Sequence, residues 1–269
     1  MYNLNMGWLN DLLFKEDTHE NYTREFYIGR NGEKKVKKEL GWAKLFGVNG
    51  KALSNIYIPM TNGETTEIDL IYITKAGIFV IESKNYKGWI FGTDTQRTWT
   101  EVLYAGRKGI LQTKTTEKHH FYNPIMQNKT HINWLQRYIK TQVPMFSLIV
   151  FSDRCELKEI NLSSSPNNVY VCLNVQASSV ISSWYKKNEK CLSKEEIEEL
   201  YNKLLPLTDV DKAIKIQHNQ DVQDKKNGLV CPYCKSKLVL RTAMRGNNVG
   251  KQFYGCSNYP KCKYTKNID

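Results

Sequence analysis

Short apolar stretches bounded by glycine and polar turns follow one another between residues 55 and 104. Runs of this length between turn residues are typical of β-strands. The stretches are NIYIPM, EIDLIYIT, GIFVIESK, GWIFG and RTWTEVLY. We therefore predict a meander of strands in this part of the chain.

Segments with helical spacing flank the meander. Before it, GRNGEKKVKKELGWAKLF directs its lysines outward and places on a core-facing stripe Val36, Leu40 and Leu45. After it, NPIMQNKTHINWLQRYIK has apolar residues at helical spacing. FSLIVF and VYVCL are apolar on both faces, which predicts buried central strands.

The last helix of the main domain is predicted in SKEEIEELYNKLLP, which opens with a capping box formed by Ser193 and Glu196. The order helix, meander, helix, strand, strand, helix predicts an α/β or α+β sandwich around one mixed sheet flanked by helices. Residues 206–228 are polar, with few large apolar side chains, and this composition indicates a linker.

The composition is that of a folded protein, with 41% hydrophobic and 25% charged residues among 269, and it excludes a collagenous or mainly disordered chain. No apolar run approaches the roughly 18 residues needed to span a bilayer. The first residues lack a basic leader followed by an apolar stretch. We therefore expect a soluble cytoplasmic protein that does not engage a membrane.

Basic charge is concentrated at the C-terminal end. Residues 225–269 hold ten of the 39 lysines and arginines but one acidic residue, so they carry +9 of the formal net charge of +12. Such a concentration favours a polyanionic partner, above all nucleic acid, whose phosphates attract cations regardless of base sequence. A solvated surface kept soluble by its lysines is the alternative.

Four of the seven cysteines lie in this basic segment. Cys231 and Cys234 form CPYC, and Cys256 and Cys262 lie in GCSNYPKC. Two close pairs separated by about twenty residues have the spacing of a tetrahedral zinc site. Disulfides, the alternative, would require an oxidising compartment.

The cysteine pairs enclose KLVLRTAMR and QFYGC, which predict a β-hairpin that depends on zinc for much of its folding free energy. Aromatic and basic residues interleave here, as they do where single-stranded bases stack on rings. Packing of the rings over the metal is the alternative. The predicted DNA-binding residues are Lys235, Lys237, Arg241, Arg245, Lys251, Phe253, Tyr254, Lys261 and Lys263.

The candidate chemistry lies in the meander, where the otherwise apolar EIDLIYITKAGIFVIESK contains Asp69, Glu82 and Lys84. A hairpin that turns at Lys75 and Ala76 would place Asp69 opposite Glu82, with Lys84 on the same face as Glu82. The paired carboxylates could then hold one divalent metal, and the lysine could orient or deprotonate a water.

This interpretation assumes the register, because a turn one residue longer would put the carboxylates on opposite faces. An ordinary salt bridge at the end of a sheet is the alternative. His119, His120 and His131 suggest a second metal site, but we expect surface histidines, since nothing in the sequence fixes their geometry.

The pattern EID…GIFVIESKNYKGWIFG, with NGEKKV before it and NPIMQN after it, resembles the nuclease-related (NERD) domain over residues 25–155. That domain is a branch of the PD-(D/E)xK nuclease superfamily, so the resemblance implies a restriction-endonuclease-like fold. It also implies that Mg²⁺ or Mn²⁺ is bound by Asp69, Glu82 and the Ser83 carbonyl, and that Lys84 is the catalytic lysine.

By the same resemblance Glu33 is an auxiliary acid and Gln127 a polar residue that reaches the site. Ile68 stands where the superfamily motif has proline, although the NERD branch itself has Ile-Asp there.

The arrangement CPYC…FYGCSNYPKCKYT resembles the four-cysteine zinc ribbons at the C-terminal end of bacterial type IA topoisomerases. We expect an N-terminal extension at 1–24, a nuclease domain at 25–205, a linker at 206–228 and a zinc ribbon at 229–269. The implied function is Mg²⁺-dependent hydrolysis of DNA, single-stranded or with exposed ends, by a protein that could associate with the nucleoid. The alternatives are a non-catalytic DNA-binding adaptor, an RNA-processing nuclease, and a protein partner for the ribbon.

Overall fold

The computed structural model describes residues 36, 38, 40, 41, 43, 47–108, 113–245 and 248–268. The chain divides into two compact units, Met1–Asp209 and Val210–Asp269. The described strands of the first unit are β1 (Gly50–Pro59), β2 (Thr65–Thr74), β3 (Gly77–Lys84), β4 (Gly88–Thr93), β5 (Thr98–Lys108), β6 (Thr113–Tyr122), β7 (Met145–Phe151), β8 (Cys155–Asn161) and β9 (Val169–Leu173). Its helices are α1 (Pro124–Ile139), α2 (Ala177–Lys187) and α3 (Lys194–Leu204).

The first sheet has the strand order β1-β2-β3-β7-β9, with β1, β2 and β3 antiparallel and β3, β7 and β9 parallel. Side chains from α1 and α3 pack on one face, where Leu135 and Leu200 join the core. The other face is covered by α2 and by the helical residues around Val36 and Leu40. The predicted mixed sheet flanked by helices is therefore confirmed. Leu45 lies outside the described residues.

The strands predicted as one meander fall into two sheets. The chain leaves β3 and forms a second sheet with the order β6-β5-β4-β8, in which β4 and β8 are parallel. Apolar side chains from this sheet and from β7 share one cluster, in which the rings of Trp99 and Phe151 stack 6.0 Å apart. The prediction of a single sheet was wrong because strand patterns do not reveal which strands pair.

The prediction that VYVCL is a central strand was also wrong, whereas FSLIVF, now β7, is central and fully buried. β9 is the edge strand of the first sheet. It is apolar on both faces because Cys172 packs in the core of the first sheet, while Val169 and Val171 pack against the cluster of the second.

Some elements of the first unit were absent from the prediction. β6 carries exposed polar side chains on both faces from Thr116 to His120, so it has no apolar alternation. α2 did contain a helical signal, in Ala177, Ile181 and Trp184.

Among the described helices, none combines the length and apolar character that a membrane crossing requires.

The second unit contains α4 (Lys212–Lys226), β10 (Leu238–Thr242), β11 (Gln252–Cys256) and β12 (Thr265–Asn267). The predicted hairpin is confirmed as β10 paired with β11, and β12 adds to it. α4 occupies most of the segment interpreted as a linker. It has no apolar stripe and is instead stabilised by polar contacts, including ion pairs from Asp221 and Asp224 to Lys237.

The two-residue turn between β2 and β3 makes a specific demand on Gly77. This glycine has φ of +128°, and a Cβ there would overlap the carbonyl of Pro144. Gly63, in the turn between β1 and β2, also has positive φ, but its Cβ would meet nothing within 4 Å. Gly77→Ala should therefore lower the free energy of unfolding by about 3 kcal/mol or more, and Gly63→Ala by about 1 kcal/mol, in urea titrations. Equal losses would contradict the close approach at Gly77.

Candidate functional site

The turn at Lys75 and Ala76 and the register it implies are confirmed. Pairs run from Thr74 opposite Gly77 to Leu70 opposite Ile81, and the same register continued by one residue would place Asp69 opposite Glu82. Beyond the last paired residues, the Ser83 N–H donates to Asp69 Oδ2 over 2.8 Å. The Asp69 side chain thus continues the ladder where the backbone pairing stops, which brings its carboxylate to the backbone of Ser83.

Glu82 and Lys84 form a buried ion pair. The Glu82 residue is 2% exposed, and Lys84 Nζ donates to Glu82 Oε1 over 2.6 Å. The same ammonium donates to Gln127 Oε1 over 3.0 Å, so α1 contributes to the site as well. The structure therefore brings together Asp69, Ser83, Glu82, Lys84 and Gln127, while Glu33 lies outside the described residues.

Each group of this pair favours the charged form of the other. Burial of the Glu82 carboxyl would raise its pKa, but the neighbouring Lys84 and His131 outweigh burial and lower the pKa to about 2. Burial of the Lys84 ammonium would lower its pKa, but the carboxylates of Glu82 and Asp69 raise it above the ordinary value. At neutral pH Glu82 is therefore a carboxylate and Lys84 an ammonium.

The expectation that His131 is a surface histidine was wrong, whereas His119 and His120 are exposed. His131 is 5% exposed and lies one helical turn after Gln127 on α1, so both side chains reach β3 from the same helix face. Its Nδ1 lies 2.7 Å from Thr66 Oγ1, and its Nε2 lies 3.3 Å from Glu82 Oε2. The four-residue spacing of Gln127 and His131 places both on one helix face and can be found in the sequence. That this face packs against β3 is decided by the tertiary structure.

The donor set fits a hard divalent cation such as Mg²⁺ or Mn²⁺. Asp69 and Glu82 supply carboxylate oxygens from adjacent strands, which are the ligands such cations prefer. Glu82 Oε2 is buried without a hydrogen-bonding partner among the described residues, and its contact with His131 is not aligned as a hydrogen bond. A cation held by the two carboxylates would give this oxygen the partner that it lacks.

The second unit forms a four-cysteine metal-binding site. The sulfurs of Cys231, Cys234, Cys256 and Cys262 all lie within 4.8 Å of one another. The Cys231–Cys262 and Cys234–Cys256 sulfurs are 3.7 and 3.2 Å apart, far longer than a disulfide bond. Leu238, Tyr254 and Tyr264 pack around the cluster. Four thiolates in this arrangement suit tetrahedral zinc.

The predicted DNA-binding residues of this unit have different environments. The side chain of Lys237 is engaged by Asp221 at 2.8 Å and Asp224 at 3.4 Å, and Tyr254 packs against the cysteines. Phe253 is half-buried, as is Arg241, which donates to the Cys256 carbonyl over 3.2 Å. The exposed members of the set are Lys235, Arg245, Lys251, Lys261 and Lys263.

Two other aromatic rings of the same unit are exposed. Tyr233 is 79% exposed and Tyr259 is 59% exposed. The guanidinium of Arg241 lies 5.5 Å from the ring centroid of Tyr259. These rings are more exposed than those of Phe253 and Tyr254, which are half-buried.

The buried position of His131 generates a stability prediction. His131→Ala leaves the buried Glu82 carboxylate and the Thr66 hydroxyl without their neighbour, so it should lower the free energy of unfolding by about 2–3 kcal/mol. His119→Ala, at an exposed site, should change it by less than about 0.5 kcal/mol. Urea unfolding of both variants without added Mg²⁺ or Mn²⁺ measures the difference, and similar values would show that His131 does not support Glu82.

Comparison with known proteins agrees with this geometry. The family model described as "Nuclease-related domain" matches residues 28–152, and the one described as "Topoisomerase DNA binding C4 zinc finger" matches residues 228–269. The first match spans Asp69, Glu82, Lys84 and Gln127. The second spans the four clustered cysteines.

Two relatives extend these matches. An uncharacterized protein of Bacillus anthracis is 32% identical over 205 residues, which cover 73% of this chain and 84% of that protein. DNA topoisomerase 1 of Methanocaldococcus jannaschii is 46% identical over 50 residues, covering 19% of this chain and 6% of that protein. No solved structure is significantly similar to this chain. The chain therefore belongs to the nuclease-related (NERD) domain family and carries a topoisomerase-type four-cysteine zinc ribbon.

Proposed function

We propose that this protein is a metal-dependent nuclease that hydrolyses phosphodiester bonds of DNA, with the zinc ribbon holding the DNA. The observation that carries the proposal is the convergence of Asp69, Glu82, Lys84 and Gln127 at the end of the β2–β3 hairpin. Two carboxylates and a lysine in one place have the composition of a site for metal-assisted phosphodiester hydrolysis.

Burial of the charges supports this function. An ion pair as buried as Glu82 and Lys84 contributes little net stability, because removing both charges from water costs about as much as their attraction returns. A well-packed apolar pair could serve a purely structural role at this position. Strongly perturbed pKa values in such a pair are more typical of functional sites.

Each residue has a defined task in the proposed reaction. Asp69 and Glu82, with the Ser83 carbonyl, would hold Mg²⁺ or Mn²⁺, which when bound supplies positive charge to the phosphate as negative charge develops. Lys84, as an ammonium, would orient the attacking water and attract a phosphate oxygen. Gln127 holds the ammonium through its Oε1.

The ribbon supplies binding rather than chemistry. Its exposed lysines and Arg245 would contact phosphates without reading base sequence. Tyr233 and Tyr259 would stack on bases, which are accessible in single strands and at frayed ends. The preferred DNA is therefore single-stranded or carries exposed ends.

The catalytic assignment predicts the effect of near-isosteric substitutions. Asp69→Asn, Glu82→Gln and Lys84→Met should each lower kcat by about 10²–10³-fold or more, since the first two remove a charge that would hold the metal and the third removes the charge that would attract the phosphate. Glu117→Gln, which changes an exposed carboxylate on β6, should cleave like the wild type. Cleavage of labelled DNA by zinc-loaded protein, with and without added Mg²⁺ or Mn²⁺, gives the measurement.

Calorimetric titration of Mn²⁺ into the same zinc-loaded proteins separates metal binding from catalysis. Asp69→Asn and Glu82→Gln should lose Mn²⁺ binding, while Glu117→Gln should retain it. Undiminished cleavage by the three site variants would overturn the assignment. A wild type that binds DNA but cleaves none with either metal would instead indicate the DNA-binding adaptor.

The stacking assignment predicts a difference between single and double strands. Tyr233→Ala with Tyr259→Ala should weaken binding of a single-stranded oligonucleotide by about 1–3 kcal/mol for each base that is no longer stacked. Binding to a blunt duplex should change little, because paired bases are already stacked on each other. Met244→Ala is the control, since Met244 is 82% exposed in the same unit. Equal weakening on both DNAs in anisotropy titrations would contradict stacking.

A further inference from the structure

The chain crosses from the first sheet to the second sheet twice, at neighbouring positions. Residues 85–87 lead from β3 to β4, and residues 152–154 lead from β7 to β8. β3 and β7 are adjacent and parallel, so both crossings start at the same edge of the sheet. The Ser152 N–H donates to the Lys84 carbonyl over 2.9 Å, and the Gly88 N–H donates to the Arg154 carbonyl over 3.1 Å. Two backbone hydrogen bonds therefore join the two crossings, the first of them at the Lys84 carbonyl.

Arg154 is fixed within these crossings by its side chain as well as its backbone. Its Nη2 donates to the Asn85 carbonyl over 3.2 Å and to Asn85 Oδ1 over 2.8 Å, and its Nε donates to Ser152 Oγ over 3.2 Å. These bonds leave both N–H groups of Nη1 without a partner in the described part of the chain. The guanidinium is therefore held in one orientation with one end open.

The positive charge of Arg154 is not neutralised. All three of its acceptors are uncharged, and no carboxylate of the described residues forms an ion pair with it. The adjacent carboxylate, Asp153, accepts instead from the Val175 N–H over 3.0 Å. Arg154 is also exposed, so a ligand can reach it. An oriented guanidinium with free N–H groups and an unpaired charge is suited to a phosphate, whose oxygens accept charge-assisted hydrogen bonds.

We propose that Arg154 is a phosphate-binding residue that contacts the backbone of the nucleic acid strand held at the site of Asp69, Glu82 and Lys84. The identity of this ligand rests on the proposed function. Asn85 and Ser152 are positioning residues, because they orient the guanidinium before the strand binds. The reduced cost of ordering the side chain strengthens the contact.

Two measurements on the zinc-loaded full chain test this proposal. Anisotropy titrations of a labelled oligonucleotide at several NaCl concentrations, without added Mg²⁺ or Mn²⁺, give Kd and its salt dependence. Steady-state cleavage with Mg²⁺ gives kcat and KM. The variants are Arg154→Gln and Arg154→Lys, and the control is Arg137→Gln. Arg137 is an exposed arginine whose guanidinium lies 4.9 Å from the ring centroid of Trp134 on α1, about 15 Å along the helix from Gln127.

Arg154→Gln should raise Kd and KM about tenfold, with kcat changed less than about threefold, because a contact made equally before and during reaction affects KM. The slope of log Kd against log [NaCl] should fall by about one, as expected for one lost phosphate contact. Arg154→Lys should keep the slope but recover only part of the affinity, since lysine keeps the charge without the guanidinium N–H groups that Asn85 and Ser152 orient. Arg137→Gln should match the wild type in every measurement.

An unchanged slope and KM in Arg154→Gln would overturn the proposal and leave Arg154 as a tie between the crossings. A lower kcat at constant KM would also overturn it. The salt slope does not depend on cleavage, so a wild type that cleaves nothing would refute the nuclease while the binding titrations still decide the role of Arg154. Normal cleavage with an unaffected Arg154→Gln would refute only this inference.

Discussion

The pairing of β2 with β3 through a two-residue turn determines where every charged group of the site lies. Thr74 opens this turn, and its buried hydroxyl donates to the Gly77 carbonyl and accepts from the Ala76 N–H. From that turn the register runs unbroken to Leu70 and Ile81, and Asp69 and Glu82 are the next residue on each strand. A turn one residue longer would put the two carboxylates on opposite faces, so the turn has a functional consequence six residues away on each strand.

The first sheet can hold charged groups at this point because its own core is strongly apolar. Both faces are covered by helices, and isoleucine, leucine and valine side chains on β2, β3 and β7 are nearly inaccessible. Within that environment Glu82 and Lys84 neutralise each other, and α1 adds Gln127 and His131 from one helix face. α1 therefore packs on the sheet through its apolar side chains and lines the candidate site through Gln127 and His131.

The two units differ in the kind of interaction that each can make. The first unit buries its charged groups, where electrostatic interactions are strong and directional. The second unit is organised by four sulfurs and a small sheet, and it exposes most of its predicted DNA-binding cations. Lys237 is an exception, because α4 presents Asp221 and Asp224 to it. The charge of that lysine is engaged by α4, so the formal charge of the segment overstates the charge available to a partner.

Several structural features of this protein can be predicted from local sequence alone. The hairpin register, the core strand β7, the capping box before α3 and the four-cysteine cluster each depend on residues close together in the chain or on a ligand spacing. The carboxylate pair could be identified for the same reason, since a short turn relates Asp69 to Glu82. Such features can be predicted before the fold is known, because they do not depend on residues distant in the chain.

Only the tertiary structure decided the remainder. The division of the strands into two sheets, the edge position of β9 and the helix α4 depend on partners far away in sequence or on polar contacts without periodicity. His131 and Arg154 are unremarkable in the sequence, one a histidine in an amphipathic helix and the other an arginine in a loop. His131 gains its position from the packing of α1 on the β2–β3 hairpin, and Arg154 from two crossings that meet only because β3 and β7 are neighbours. Adjacency of that kind is a property of the fold, because it arises where segments distant in the chain pack together.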